Sequence, residues 1–380
     1  MNIISSFVFL SFFIFFPMYI ITGLRTLDFS FLLLSLYTFS GVFFLGKTIN
    51  KKVIISILLF ILFISFNIFI GFILNDDITV SIKQSLYYFK PILFFLFGYL
   101  FLTKSKYKQY VNYVLVLSVL GTICFILFEN DVIKYTMMYL GTTEVGYFYS
   151  FGFMVRNISF FISPLEFGGI CFYLLFFYLA SIREFNLKKV MILSLIVFMI
   201  ISTMSRTVWL VCIFGMFSYY LIGAKSLNKL SSRYSFIILM MFAATILVIN
   251  NFSLIDKYFI SDGSSSVHHS NLIETLSYII SYPFGTGLGS SGWSGYDLNL
   301  NFYHYSEGSF FANCIELGLI QYITIILFIS IYIFKLSKDM FVIFVGYILG
   351  CMIIPLGFST FINLLFFSYL GIISKNGNKI

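Results

Sequence analysis

Residues 53–74, VIISILLFILFISFNIFIGFIL, decide the fold class because they contain no charged side chain. An apolar run of more than about 18 residues is long enough to cross the roughly 30 Å of hydrocarbon in a bilayer as a helix. The run lacks the alternation of polar and apolar residues that marks membrane β-strands. It therefore predicts a transmembrane helix, in which the backbone satisfies its own hydrogen bonds.

Similar runs recur along the whole chain, which is 60% hydrophobic and only 10% charged. Soluble domains carry about 25% charged residues, so lipid must solvate most of this protein. The pattern predicts an all-α, polytopic integral membrane protein that forms a single membrane domain over residues 1–380. About twelve spans are expected, at roughly 3–22, 28–46, 53–74, 88–103, 109–128, 158–181, 187–204, 206–223, 234–251, 309–334, 339–355 and 357–373.

Lysines and arginines gather in alternate loops and in the tail, which indicates the orientation of the chain. They cluster around positions 47–52, 104–108, 183–189, 225–233, 335–338 and 375–379. Basic residues flanking spans stay in the cytoplasm, so both termini are expected there. The net charge of +8 follows from this topology and gives no indication of nucleic acid as a partner.

The two long loops, 129–157 and 252–308, then lie on the outer side. The cytoplasmic loops are short, and the chain has no phosphate-binding loop motif of the nucleotide-binding kind. Any chemistry outside the cytoplasm needs a substrate that carries its own energy, such as a lipid pyrophosphate. The five cysteines lack C-x-x-C spacing, which argues against a disulfide framework or a zinc site. No cofactor is expected.

Four ionisable residues fall in the outer part of predicted spans: Lys90, Glu166, Arg206 and Glu316. Such residues are costly in a membrane and are functional-site candidates by default. Glu166 and Glu316 are each expected several residues into a span, and Arg206 in the tight outer turn between two spans. The shared depth predicts a cavity open to the outer leaflet. The alternatives are a snorkelling lysine, carboxylates that partner nearby cations, and an interfacial arginine.

The outer loop 252–308 contains all three histidines, His268, His269 and His304. Residues 271–281 place apolar side chains at helical spacing, which predicts an amphipathic helix on the membrane surface. A glycine-rich stretch follows, whose backbone amides could bind an anion or sugar hydroxyls. Trp293 and Tyr303 could stack on sugar rings or belong to the interfacial aromatic belt. The histidine spacing does not indicate a metal site.

Four stretches resemble the bacterial O-antigen and capsule polysaccharide polymerase (Wzy) family, within the superfamily that includes O-antigen ligase. They are RNISFFISPLEFGG from Arg156, STMSRTVWL around Arg206, HHSNLIETLSYIISYPFGTGLGSSG from His268, and SEGSFFANCIELGLI around Glu316. The resemblance covers roughly residues 156–320. It implies a membrane glycosyltransferase of GT-C-like fold, and inverting stereochemistry is the expectation from the resemblance.

Two departures from the wider superfamily bear on the reaction. Ligases carry a histidine eleven residues before a glycine, whereas the position eleven before Gly318 is Glu307. Many members have an arginine about fifteen residues before the loop proline, a position that His268 occupies here. The ligase signature is therefore absent, and phosphate binding would depend on His268, His269 or the arginines at 156 and 206.

The resemblance implies glycosyl transfer between two undecaprenyl-pyrophosphate-linked oligosaccharides at the outer face of the bacterial cytoplasmic membrane. Arg156 and Arg206 are expected to bind the pyrophosphate, with Lys90 as a third cation. Glu307 is the first candidate for the general base and His304 the second. Glu166 and Glu316 would orient the arginines or the acceptor sugar. Membrane lipid, a chain-length regulator and a flippase are the expected partners.

Two other functions remain open from the sequence. An O-antigen ligase would transfer the glycan to lipid A core, although the histidine signature is missing. A lipid-linked oligosaccharide flippase or transporter would suit twelve spans but should show two related halves and polar breaks near the midplane. No internal repeat is evident, and the charges lie toward one face.

Overall fold

The computed structural model describes residues 4–13, 27–43, 49–75, 77–140, 149–150, 154–161, 163–181, 187–222, 263–291, 302–306, 308–353, 357 and 359–377. Within these ranges the chain is almost entirely helical, which confirms the all-α class. The exception is a two-stranded antiparallel hairpin, β1 (Tyr149–Ser150) with β2 (Met154–Val155), in which Tyr149 is opposite Val155.

Most of the described helices follow the apolar runs. They are α1 (Ile4–Phe13), α2 (Leu27–Phe43), α3 (Lys51–Asn75), α4 (Ile78–Phe101), α5 (Lys104–Leu127), α6 (Glu129–Leu140), α7 (Pro164–Ser181), α8 (Leu187–Ser202), α9 (Arg206–Ile222), α10 (Gly263–Ser281), α11 (Ser309–Leu317), α12 (Leu319–Leu336), α13 (Lys338–Ile353) and α14 (Thr360–Gly377).

Three described helices are long and apolar enough to cross a membrane: α3, α5 and α12. Shorter apolar helices or parts of helices occur at Ile4–Phe13, Ser30–Phe43, Pro164–Ala180, Arg206–Tyr219 and Thr360–Lys375. The protein is thus a helical membrane protein. The count of twelve spans and the cytoplasmic termini stay predictions, and the expected span 234–251 lies outside the described residues.

Three boundaries differ from the sequence-based expectation. The expected span 309–334 is interrupted at Gly318, whose φ of 86° lies in the left-handed region that favours glycine. The expected span 158–181 begins as a helix only at Pro164, because proline suits the first helical turn. The segment 129–157, expected to be an outer loop, contains α6 and the hairpin, whose short elements do not produce a strong hydropathy signal.

The chain divides into two compact units, each made of discontinuous segments. The first comprises Met1–Phe66, Ser85–Leu210 and Leu356–Ile380. At its core, the hydroxyl of Tyr107 in α5 hydrogen-bonds with that of Tyr173 in α7 (2.5 Å) and donates to the carbonyl of Leu365 in α14 (2.6 Å). A Cβ on Gly98 of α4 would collide with the α14 backbone at Ser368, so these helices approach closely.

The second unit comprises Asn67–Gln84 and Val211–Pro355. Here α11 packs against α10, α12 and α13, and α12 packs against α13. A loop, Tyr282–Ser291, follows α10 and lies against the ends of α3 and α4. Its Gly287 has a φ of 82°, and a Cβ there would collide with the backbone of Gly71 in α3.

Candidate functional site

Two groups of buried and half-buried polar residues stand out among the described residues, one in each unit. In the first unit, the arginine cluster consists of Arg156, Asn157, Glu166, Arg206 and Ser359. In the second unit, the histidine cluster consists of Gln84, Thr275, Tyr278, His304 and Glu316, together with the loop Tyr282–Ser291. Together they contain most of the described residues that the sequence indicated.

Asn157 ties the segment after β2 to two helices. Its side-chain Nδ2 donates to Ser202 Oγ (2.8 Å) at the end of α8 and to Thr122 Oγ1 (3.2 Å) in α5. Its Oδ1 accepts from the backbone N–H of Ser159 (2.8 Å). Its own N–H donates to the carbonyl of Ser202 (3.1 Å). Arg156 is therefore held beside the turn that leads to Arg206.

The turn between α8 and α9 places Arg206 at the first position of α9, as the sequence predicted. Thr203 is fully buried and donates its hydroxyl to the carbonyl of Ile200 (2.7 Å). Met204 has a φ of 47°, and Ser159, in the segment facing this turn, has a φ of 51°. Left-handed conformations cost non-glycine residues free energy and often occur at functional sites. Both such residues of the described chain lie at this cluster.

Glu166 sits in the first turn of α7 rather than deep in a span, because that helix begins at Pro164. Ser163 caps the helix by accepting from the N–H of Glu166 (3.0 Å). The carboxylate Oε1 accepts from the hydroxyl of Ser359 (2.6 Å). Ser359 Oγ also accepts from the N–H of Ile362 (3.4 Å), so it caps α14. One hydroxyl thus joins the beginnings of α7 and α14.

The beginning of α9 lies beside the beginning of α7. A Cβ on Gly168 in α7 would collide with the side chain of Val208 in α9, and both residues are within the first turns of their helices. Ser205 caps α9, with the N–H of Val208 3.5 Å from its Oγ. Three helix N-termini therefore meet at the arginine cluster, each with a serine cap.

The electrostatics of the arginine cluster favour an anion. Each helix N-terminus presents the positive end of the helix dipole. Arg156 and Arg206 add two guanidinium groups, and both side chains are only partly buried. A cation at the start of a helix is locally unfavourable, so Arg206 raises an already positive potential. Glu166 supplies one negative charge, and this carboxylate is hydrogen-bonded to Ser359.

Lys90 has a different setting within the first unit. Its Nζ lies 4.9 Å from the ring centroid of Tyr87 in α4 and 5.7 Å from that of Phe31 in α2. These distances are within the range of cation–π attraction, which is worth about 0.5–2 kcal/mol. Tyr and Phe faces therefore provide a structural reason for a lysine within an apolar helix.

In the second unit, Glu316 is fully buried at the end of α11. Its Oε1 accepts from the N–H of Gly289 (3.2 Å), and its Oε2 accepts from the amide Nε2 of Gln84 (3.3 Å). The loop makes two further backbone bonds to α11, from Thr286 to Ile315 (2.9 Å) and from Gly287 to Glu316 (3.0 Å). The glycine-rich segment is thus bound to the protein through its amides.

His304 is half-buried and fixed at both its backbone and its ring. Its N–H donates to the carbonyl of Ser290 (2.9 Å). The ring Nε2 lies 3.1 Å from Thr275 Oγ1, and the ring stacks on Tyr278 at 4.8 Å between centroids. Burial lowers the pKa of His304 below its ordinary value, and the charge of Glu274 partly opposes this. The imidazole is therefore neutral at neutral pH, the form that can accept a proton.

The other candidate residues are placed as follows. Tyr303 is half-buried next to His304. His268 and His269 lie in α10, which contains the expected amphipathic segment 271–281 and begins eight residues before it. Glu307 and Trp293 lie outside the described residues. Within the described part of the chain, no group of three His, Cys, Asp or Glu side chains could hold a metal ion.

Sequence reasoning missed Asn157, Ser359, Gln84 and Thr275, all of which are buried or half-buried. The last three are hydrogen-bonded to the candidates Glu166, Glu316 and His304, and Asn157 binds the turn that leads to Arg206. Asn157 carried a usable signal, since it is an amide directly after an arginine at the edge of an apolar run. The other three are ordinary polar residues of apolar helices or loops, and only their long-range partners distinguish them.

No protein-family model, no curated protein and no solved structure matches this chain.

Proposed function

We propose that this protein is a membrane glycosyltransferase that polymerises undecaprenyl-pyrophosphate-linked oligosaccharide repeat units. It would act at the outer face of a bacterial cytoplasmic membrane, as a polytopic protein with twelve spans and both termini inside. The observation that carries the proposal is the arginine cluster, where three capped helix N-termini meet beside Arg156 and Arg206.

A pyrophosphate diester suits this cluster for electrostatic reasons. Guanidinium groups bind phosphate oxygens through two parallel hydrogen bonds, and helix N-termini bind phosphates through their backbone N–H groups. Both kinds of donor are fixed before the substrate arrives, so little reorganisation is needed when charge develops on the leaving group. Glu166, held by Ser359, is suited to orient an arginine or an acceptor hydroxyl.

The proposed reaction is a displacement at the anomeric carbon of the growing chain. An acceptor hydroxyl of the incoming repeat unit forms the new C–O bond as the bond to pyrophosphate breaks. The hydroxyl proton passes to a base, and undecaprenyl pyrophosphate leaves with the bonding electrons and the negative charge. Glu307 remains the first candidate for the base, and the neutral imidazole of His304 is the second.

One observation favours the flippase as a second candidate. The helix break at Gly318 divides a long apolar run next to a buried carboxylate, Glu316. Discontinuous helices with buried polar groups are typical of transporters. A flippase would deliver repeat units without joining them, so the two functions predict different glycans.

The test is complementation of a strain that lacks this gene, with the length of the surface glycan measured on a gel. Wild type should restore a ladder. Arg206→Ala should reduce it to single repeat units, since loss of one fixed cation at a leaving group costs on the order of 10²–10³ in rate. Arg206→Lys should be only partly active because lysine cannot bind phosphate bidentately.

Lys188→Ala is the matched control, because it removes an exposed cation at the other end of α8 and should leave the ladder intact. Membrane levels of every variant are measured alongside. Loss of all surface glycan, single units included, with Arg206→Ala would indicate flipping. A normal ladder from Arg206→Ala would refute the role of the arginine cluster.

A further inference from the structure

Glu316 differs from Glu166, the other candidate carboxylate among the described residues, because no part of its side chain reaches the surface. Its two oxygens accept from Gly289 N–H and from Gln84 Nε2. Burial of a charge without partners is very costly, whereas donors aimed at each oxygen offset that cost. Because both donors are groups of the protein itself, the carboxylate serves to hold Gly289 and Gln84 in place.

That task concerns the loop Tyr282–Ser291. Glu316 binds Gly289 with its side chain and Gly287 with its carbonyl. On the other side, the N–H of Leu288 donates to the carbonyl of Asn67 (3.0 Å), and Ser81 Oγ donates to the carbonyl of Leu288 (2.6 Å). The loop is therefore bound on one side by α11 and on the other by the ends of α3 and α4.

The loop in turn holds the histidine. Ser290, the residue after Gly289, accepts from the backbone N–H of His304. Ser290 is fully buried, and its own hydroxyl is bound within the loop, where it accepts from Thr286 Oγ1 (2.6 Å) and donates to the carbonyl of Gly287 (2.7 Å). A displacement of Gly289 must move Ser290 and with it the backbone of His304.

We propose that Glu316 is a positioning residue for His304, acting through Gly289 and Ser290. This rests on the proposed function, in which His304 is a candidate base. Glu316 touches no reacting atom in this scheme. It fixes the position of the loop. The loop, through the backbone of His304, fixes the position of the imidazole relative to Thr275 and Tyr278 on α10.

Two substitutions separate hydrogen bonding from charge at this position. Glu316→Gln retains one acceptor for Gly289 N–H, and its new NH₂ can donate to Gln84 if the Gln84 amide flips. Glu316→Ala removes both acceptors and leaves buried donors unsatisfied, which destabilises the loop. A positioning role predicts that glutamine rescues what alanine loses.

The measurement is the titration of the His304 ring by NMR on the full chain in lipid nanodiscs. His268 and His269 are replaced by asparagine and the purification tag lacks histidine, so that His304 is the sole signal of the three histidines. The titratable groups facing the ring are Glu274, Tyr278 and its neighbour Tyr282 on α10, and they stay unchanged. The native ring should titrate below its ordinary value.

With Glu316→Ala, the His304 pKa should rise toward about 6.5, because the ring becomes more exposed when the loop is released. With Glu316→Gln, it should stay at the native value. Asp131→Ala, which removes an exposed carboxylate on α6, is the control and should change nothing. An unchanged His304 titration in a folded Glu316→Ala protein would overturn the proposal. If Glu316 had a structural role alone, its removal would lower the melting temperature and leave the pKa of His304 unchanged.

If Glu316→Ala does not fold, Gln84→Met replaces it. This variant keeps the side-chain length and removes one donor to Glu316, and a smaller rise in the His304 pKa is expected. No rise in folded Gln84→Met would count against the proposal. The titration needs no glycan synthesis, so its result stands even if the glycosyltransferase proposal fails, and the two failures are distinguishable.

Discussion

Asn157 illustrates how one residue can hold a site together at the scale of a side chain. Its amide uses both donors and its acceptor in bonds to three partners, and it is almost completely buried. The partners belong to α5, to the end of α8 and to the turn at Ser159. Asn157 thus ties the residue after Arg156 to the turn that leads to Arg206.

Asn157→Ala should lower stability by about 1–3 kcal/mol, because it leaves the buried N–H of Ser159 without its acceptor and removes the donor to the hydroxyls of Thr122 and Ser202. Thermal unfolding in detergent measures the loss. The control is Asn112→Ala, which removes an exposed amide that accepts one hydrogen bond from Tyr178 (2.6 Å) and should change stability by less than about 0.5 kcal/mol. Equal losses from the two variants would mean that burial of Asn157 contributes nothing.

At the scale of elements, the hydropathy pattern located helices better than it located their interruptions. The expected spans 187–204 and 206–223 correspond closely to α8 and α9, since the turn between them contains Thr203, Ser205 and a helix start. The break at Gly318 was missed because apolar residues continue on both sides. Only the close approach of Gly285 to Gly318 shows why the helix must stop there.

The distribution of exposed residues on α10 predicts that this helix lies at the membrane surface. Thr275 and Ile279 are buried against the rest of the second unit, whereas Ile273, Leu276 and Ile280 are exposed. Glu274 and Ser277 form an exposed polar strip beside them. An amphipathic helix of this kind lies in the interfacial plane with its apolar face toward lipid.

Spin labels test this arrangement in a background without native cysteines. A label at Ile280→Cys should collide with oxygen, which concentrates in lipid, and a label at Glu274→Cys should collide with a water-soluble nickel chelate. The two sites are in the same helix, so each is the control for the other. Nickel accessibility that is as high at position 280 as at 274 would place the apolar face of α10 in water.

At the scale of the whole molecule, the hydropathy pattern of the sequence predicts the fold class but not the contacts between distant helices. Composition and run length predicted a helical membrane protein, and the structure confirms this class. The convergence of three helix N-termini could not be predicted, because it depends on a hydrogen bond between Glu166 and Ser359, which are 193 positions apart in the sequence. The partners of Glu316 were hidden for the same reason, since Gln84 is 232 residues away in sequence.

The predicted orientation is open to a direct test by thiol labelling from either side of intact cells. Cysteine at Lys188, in an expected cytoplasmic loop, should react only after permeabilisation. Cysteine at Ser277, on the exposed strip of α10, should react with a membrane-impermeant reagent in intact cells. Both positions are exposed in the structure, so accessibility reports the side of the membrane. Labelling of Lys188→Cys from outside would invert the topology derived from the positive-inside rule.

The late position of α14 in the chain has a consequence for how the protein is made. Its carbonyl at Leu365 accepts from Tyr107, its Ser368 lies against Gly98, and Ser359 just before it bonds Glu166. These partners leave the ribosome long before α14, with the whole of Val211–Pro355 in between. The packing of the first unit is therefore completed only after the whole segment Val211–Pro355 has been synthesised, so its folding cannot finish in the order in which its helices are made.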